Sequence, residues 1–209
     1  MGLEGVVWKL YSISNGIMKL IYLNALWIVF SLLGLVAFGF FPATAAMFAV
    51  ARKWVFGETE IPVFKTFWKT YKTGFLQTNI IGFISALVGI LLYVDLRFFQ
   101  NSEHVLLSFL AFFIIFALFI YFAAVLYIFP MYVHFDFKTL EYLKQAIILV
   151  IGKPLNTIMI IVGSYLLYVV LSMLPVLWIF ISGSLASVVL MWIASKSFPR
   201  HEFQAGGVE

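Results

Sequence analysis

Apolar residues run along this chain in long unbroken blocks, and short segments between them carry nearly all the charge. No charged residue stands between Lys19 and Arg52, between Lys72 and Asp95, or between His104 and His134. A helix needs about 20 apolar residues to cross the roughly 30 Å hydrocarbon core of a bilayer. The blocks therefore predict spans over about 20–41, 79–94, 105–129, 155–171 and 176–194, with Pro175 dividing the last two. Backbone polar groups in lipid must bond within their own segment, so each span is a helix; the blocks do not alternate as β-barrel strands would. The expected fold is all-α: a polytopic transmembrane helix bundle of about five spans, with amphipathic interfacial helices, forming one membrane domain over residues 1–209.

The linkers carry a second pattern. Phe64, Phe67, Trp68, Tyr71 and Phe75 fall on one helical stripe, with Lys65, Lys69 and Lys72 on its flank and Thr66, Thr70 and Thr73 behind. Pro62 suits the start of that helix. An aromatic stripe bordered by lysines is the composition of a helix lying in the membrane interface, so residues 63–76 are expected as an interfacial helix against anionic headgroups. Asp136–Ile151 reads as a second such segment, and Leu3, Val6, Val7 and Leu10 hint at a third. A span, a Phe-Pro pair, a basic linker, a glycine, an asparagine and a span occur twice, through Phe41–Pro42, Gly74 and Asn79 and again through Phe129–Pro130, Gly152 and Asn156. That order suggests an internal repeat.

Charge gives the expected orientation. Arg52, Lys53, Lys65, Lys69 and Lys72 fill one linker, Lys138, Lys144 and Lys153 another, and Lys196 and Arg200 the tail. Positive residues mark the cytoplasmic side, so both linkers and the C-terminus are expected there, and the Asp95–His104 loop outside. Five spans would put the N-terminus outside with Lys9 and Lys19. A six-span alternative, in which Pro42 turns the chain and Ala43–Val55 returns across the membrane, leaves Arg97 as the only positive residue outside. The internal repeat favours five.

Composition agrees with the pattern: the 209 residues are 64% hydrophobic and 11% charged, against about 25% charged in a soluble domain. The net charge of +4 sits beside apolar runs and reads as topology and lipid contact, with no motif for nucleic acid. Without cysteine, disulfides, thiolate metal sites and cysteine nucleophiles are excluded. Zinc-binding, phosphate-loop and serine-elbow motifs are missing, and His104, His134 and His201 fall in loops or tails as solvated side chains. No enzyme activity, cofactor or metal is expected. The predicted spans hold no Asp, Glu, Lys or Arg, which weighs against an ion-coupled carrier. Asn24, Asn79 and Asn156 are their candidate intramembrane polar groups, as bonds between helices or as ligand contacts. Gly82, Ala86 and Gly89, and Gly183 with Ser187, read as close-packing positions; Asp95, Arg97, Glu103 and His104 read as a solvated outer turn.

The run Gly39–Phe40–Phe41–Pro42–Ala43–Thr44–Ala45–Ala46 continues to Arg52–Lys53–Trp54, Gly57–Glu58, Phe64, Phe67, Tyr71–Lys72, Phe75 and Asn79. Over about residues 24–82 this resembles the YesL-like family of bacterial integral membrane proteins, a family with no assigned biochemical activity. Its members are often encoded beside ABC-type carbohydrate uptake systems and glycan-degrading enzymes. The resemblance implies a multi-pass protein of a Gram-positive-type plasma membrane, linked to sugar uptake, with carbohydrate ABC transporter subunits as partners. It supplies no catalytic residues; it directs attention to Pro42, Arg52 and Lys53. The resulting expectation is a non-enzymatic accessory to carbohydrate uptake, working through Pro42 and the basic aromatic segment with Lys65, Trp68, Lys69 and Lys72. The alternative is a small transporter or channel for a neutral or amphipathic solute, with a polar cavity lined by Asn24, Asn79 and Asn156.

Overall fold

The computed structural model describes residues 3–101 and 105–198, and among these there are seven α-helices and no strand. They are α1 (Leu3–Leu33), α2 (Phe40–Val55), α3 (Val63–Gln100), α4 (Val105–Tyr132), α5 (Glu141–Gly152), α6 (Pro154–Ser172) and α7 (Pro175–Ser195). Five are long and apolar enough to cross a membrane: Ser14–Leu33 of α1, α3, Phe109–Tyr132 of α4, α6 and α7. Phe109, Phe112, Phe113, Phe116, Phe119 and Phe122 of α4 stand exposed, a surface that lipid covers and water would not. Pro154 and Pro175 open α6 and α7, where a missing N–H costs nothing.

The first apolar block divides, so the 20–41 span is corrected. α1 stops at Leu33 and residues 34–39 form a tight reversal, with Leu35 and Val36 at φ 56° and 61°. A Cβ on Gly39 would run into the Ser31 and Phe30 carbonyl oxygens, so the chain reverses there only on glycine. The reversal exposes Leu33, Leu35, Val36 and Phe38, side chains that belong in hydrocarbon. α2 then runs back along α1: Trp27 donates from Nε1 to Thr44 Oγ1 at 3.0 Å, and Lys19 reaches Thr59 O and Glu60 Oε1 at 3.0 and 2.7 Å. This is the return that the six-span alternative requires. At 16 residues α2 is about 24 Å long, shorter than the hydrocarbon core. Its small residues Ala43, Ala45, Ala46 and Ala51 are buried, with Pro42 in the first turn, and let α1, α3 and α7 close around it.

The interfacial helix expected over 63–76 is not separate. It continues through Gly74 into the next span as the 38 residues of α3, about 57 Å of helix. Only its charge-free part fits within hydrocarbon, so the turns bearing Lys65, Lys69 and Lys72 stand outside. Asp95 and Arg97 lie on the last turns of α3 and not in a loop, Arg97 donating to Tyr93 Oη at 3.1 Å. Glu103, His104, Arg200 and His201 lie outside the described residues, as do the side chains of Leu3, Val6, Val7 and Leu10.

The suggested repeat does not survive as structure. Pro42 opens α2 whereas Pro130 sits inside α4; Gly74 is mid-helix in α3 whereas Gly152 ends α5. α2 packs along α3, but α5 only touches α6. Phe-Pro and Gly-Asn landmarks of few residues recur here without a shared fold.

A polar cavity at the basic end

α2 ends in a defined geometry. Gly57, at φ 95°, donates its N–H to Trp54 O at 3.1 Å, and Glu58 donates to Lys53 O at 2.9 Å, the paired bonds of a glycine-terminated helix. Arg52 and Lys53 occupy the last turn, where cations complement the helix dipole. Lys53 meets Glu58 at 3.3 Å, an exposed pair of little energetic weight.

Opposite stands α3. Its aromatic stripe clasps α1 more than it faces lipid: Phe30 is surrounded by Phe67, Tyr71 and Trp68 at centroid distances of 5.3, 5.1 and 5.5 Å. Phe67 and Tyr71 are buried, while Phe64, Trp68 and Phe75 keep part of their surface exposed. Tyr71 also donates to Phe30 O at 3.2 Å. With the stripe on α1, the threonine side of α3 turns toward α2. The third wall is the α4–α5 linker, knotted by Tyr142, whose hydroxyl donates to Phe135 O at 2.8 Å and accepts from the Phe137 N–H at 3.0 Å. Gln77 of α3 ties to it by donating to Phe137 O at 3.3 Å.

Between these walls lies a cavity of about 510 Å³, whose lining includes Arg52, Lys53, Lys69, Gln77, His134 and Asp136. Arg52 donates from Nε to His134 Nδ1 at 3.4 Å. The imidazole is half-buried and packs against Phe56, Phe135 and Phe198, at centroid distances of 5.7, 4.6 and 4.6 Å. Burial, and then the positive charge of Arg52, push its pKa down to about 4, so at neutral pH it is an uncharged acceptor. The expectation of a solvated loop histidine is therefore corrected. Nothing in the sequence joins Arg52 to His134, which lie 82 positions apart.

Of the other candidates, Lys69 lines the cavity, whereas Lys65 and Lys72 are exposed elsewhere on α3. Trp68 stacks on Tyr71 at 6.0 Å, and Pro42 is buried at the head of α2. The three asparagines lie apart from the cavity and from one another. Asn24, 2% exposed, donates from Nδ2 to Ile179 O at 2.8 Å, and its Oδ1 accepts from the Gly183 and Ser184 N–H groups at 3.1 and 3.2 Å. Asn79 donates to Phe38 O and Phe75 O at 3.0 and 2.8 Å, fastening α3 to the α1–α2 reversal. Asn156 donates to Lys196 O at 3.4 Å, near the end of α7. Among the described residues, the three side chains meet different stretches of backbone and are not brought together. Gly82, Gly89 and Gly183 are close-packing positions: added Cβ atoms would meet Phe41, Tyr121 and Asn24.

These helices and their exposed apolar surfaces define a multi-helix membrane protein with a polar cavity walled by α2, α3 and the α4–α5 linker. A family model described as a protein of unknown function, DUF624, matches residues 20–96. Three Bacillus subtilis (strain 168) proteins are similar over most of the chain. Uncharacterized protein YteU is 39% identical over 190 residues, covering 91% of this chain and 85% of its own length. Uncharacterized protein YesL is 37% identical over 198 residues, covering 90% and 92%. Uncharacterized protein YesV is 35% identical over 199 residues, covering 93% and 94%. The chain belongs to the YesL-like, DUF624 family. No solved structure matches it.

Proposed function

We propose that this protein is a non-enzymatic accessory of an ABC-type carbohydrate uptake carrier in the bacterial plasma membrane, and that the Arg52–His134 cavity is its working site. The observation that carries the choice of site is the cavity itself, in which three cations, an aspartate and a histidine from three separate elements converge. The partnership with a carbohydrate carrier is supported by the genomic setting that the family resemblance implies. The accessory reading is favoured over a solute channel because the Asn24 amide and the Asn79 and Asn156 Nδ2 groups bond backbone carbonyls at three separate places in the bundle. By the positive-inside rule, the cavity and the C-terminus face the cytoplasm, where anionic headgroups attract Lys65, Lys69 and Lys72.

The test is paired. Purification in mild detergent should recover subunits of an ABC-type carbohydrate carrier, and deletion of the gene should slow oligosaccharide uptake. Unchanged uptake, with no carrier subunit bound, would remove the proposal.

A further inference from the structure

Arg52 is a half-buried guanidinium with no carboxylate at ion-pair distance among the described residues; Glu58, paired with Lys53, acts on it only from further away. The ion pairs among the described residues join Lys19 to Glu60 and Lys53 to Glu58. The hydrogen bond described for Arg52 runs from Nε to a neutral imidazole, which fixes one edge of the guanidinium plane without neutralising it. A half-buried charge left in this state is costly, and an anion in the adjoining cavity would offset the cost.

The cavity is built for one. Lys69 approaches from α3 and Lys53 from α2, and the hydroxyls of Thr66 and Thr70 line the same space. Among the described residues Asp136 is the acidic side chain in that lining, and it is exposed; with Lys53 paired to Glu58, Arg52 and Lys69 still outnumber it. Donors coming from two helices suit a tetrahedral group with several oxygens better than a planar carboxylate, which one arginine fork can satisfy.

We infer that this cavity binds a phosphate-type anion, held by Arg52 and Lys69 with the Thr66 and Thr70 hydroxyls as neutral donors. The group is carried either by a lipid headgroup or by a free phosphorylated solute. The inference rests on the reading of the cavity as the working site, and is independent of any carrier partner.

The full chain, purified in dodecyl maltoside, is titrated at constant ionic strength with inorganic phosphate and, separately, with phosphatidylglycerol in mixed micelles. Calorimetry and the melting temperature report binding. At least one probe should bind, and Arg52→Gln and Lys69→Gln should each weaken it about tenfold or more, as expected for loss of a charge-assisted bond. Lys138→Gln, outside the cavity, should change it by less than about twofold. Binding of inorganic phosphate assigns a soluble phosphorylated ligand; binding of phosphatidylglycerol alone assigns a lipid headgroup. Lys69 is exposed, so its variant keeps the test decisive if Arg52→Gln does not fold. Binding of neither probe, or wild-type binding by Lys69→Gln and by any folded Arg52→Gln, overturns the inference. Such a failure leaves the co-purification test standing.

Discussion

Asn24 on α1 grips Gly183 on α7 through one side-chain amide. Its Oδ1 accepts from the Gly183 N–H at 3.1 Å, and its Nδ2 donates to Ile179 O at 2.8 Å, the carbonyl one helical turn earlier. The amide thus engages both groups of a single rung of α7 and fixes the register of two helices 159 positions apart in sequence. A Cβ on Gly183 would sit 2.9 Å from that oxygen and 3.2 Å from Met47 Cε.

Asn24→Ala should therefore destabilise the detergent-solubilised protein by about 1–2 kcal/mol, the range for buried hydrogen bonds between membrane helices. Gly183→Ala should also destabilise it, but by less when Asn24 is already alanine, because the oxygen it crowds is gone. A double-mutant cycle on thermal or denaturant unfolding measures the coupling; strict additivity would contradict the geometry.

The reversal between α1 and α2 depends on Gly39. Gly39→Ala should cost at least about 2 kcal/mol, since a methyl there meets backbone carbonyls that cannot turn aside. Gly16→Ala, with open space around it, should cost little or stabilise slightly. Comparing melting temperatures of the two variants checks this.

Gly82→Ala should be disruptive for a different reason: its methyl would enter the Phe41 ring. A side chain can yield where backbone cannot, so Phe41→Leu should recover part of the lost stability. Failure of the double variant to improve on Gly82→Ala would place the strain elsewhere.

His134 links stability to pH. Its folded pKa of about 4 lies below the unfolded value near 6.5, so folding favours the neutral ring. Its contribution is full above about pH 6.5 and is lost as pH falls toward 4, because in that window the unfolded chain binds the extra proton. Among the described residues, Arg52 bonds the ring and its charge acts on it, while Lys53, Lys69 and Asp136 line the same cavity. His134→Gln should flatten the fall in melting temperature between pH 6.5 and 4 relative to wild type. Parallel curves would mean that the ring titrates normally.

The sequence reveals helices where physics leaves one option. Residues 155–171 and 176–194 lie within α6 and α7 because Pro154 and Pro175 sit at the first turn of each helix, where a missing N–H costs nothing. The end of α1 was hidden because Gly34–Gly39 is as apolar as a span; only the close approach of two glycines to backbone marks it. The lysines on one flank of α3 look like an interface in the sequence, although Gly74 interrupts nothing and the helix is continuous. Arg52, Lys53 and Lys69 were recognisable as charges beside a membrane. Their meeting with His134 and Asp136 depends on packing that local pattern does not carry.

The return of α2 beside α1 is the central claim, since it brings Arg52 to the cavity and sets the N-terminus on the same side as the basic linkers. The chain has no native cysteine, so single cysteines at positions 2, 59, 101 and 138 can be labelled in intact cells with a membrane-impermeant maleimide. The account predicts that position 101 labels from outside and that 2, 59 and 138 label only after the membrane is opened. Labelling of position 2 together with 101, while 59 stays protected, would mean that α2 does not return.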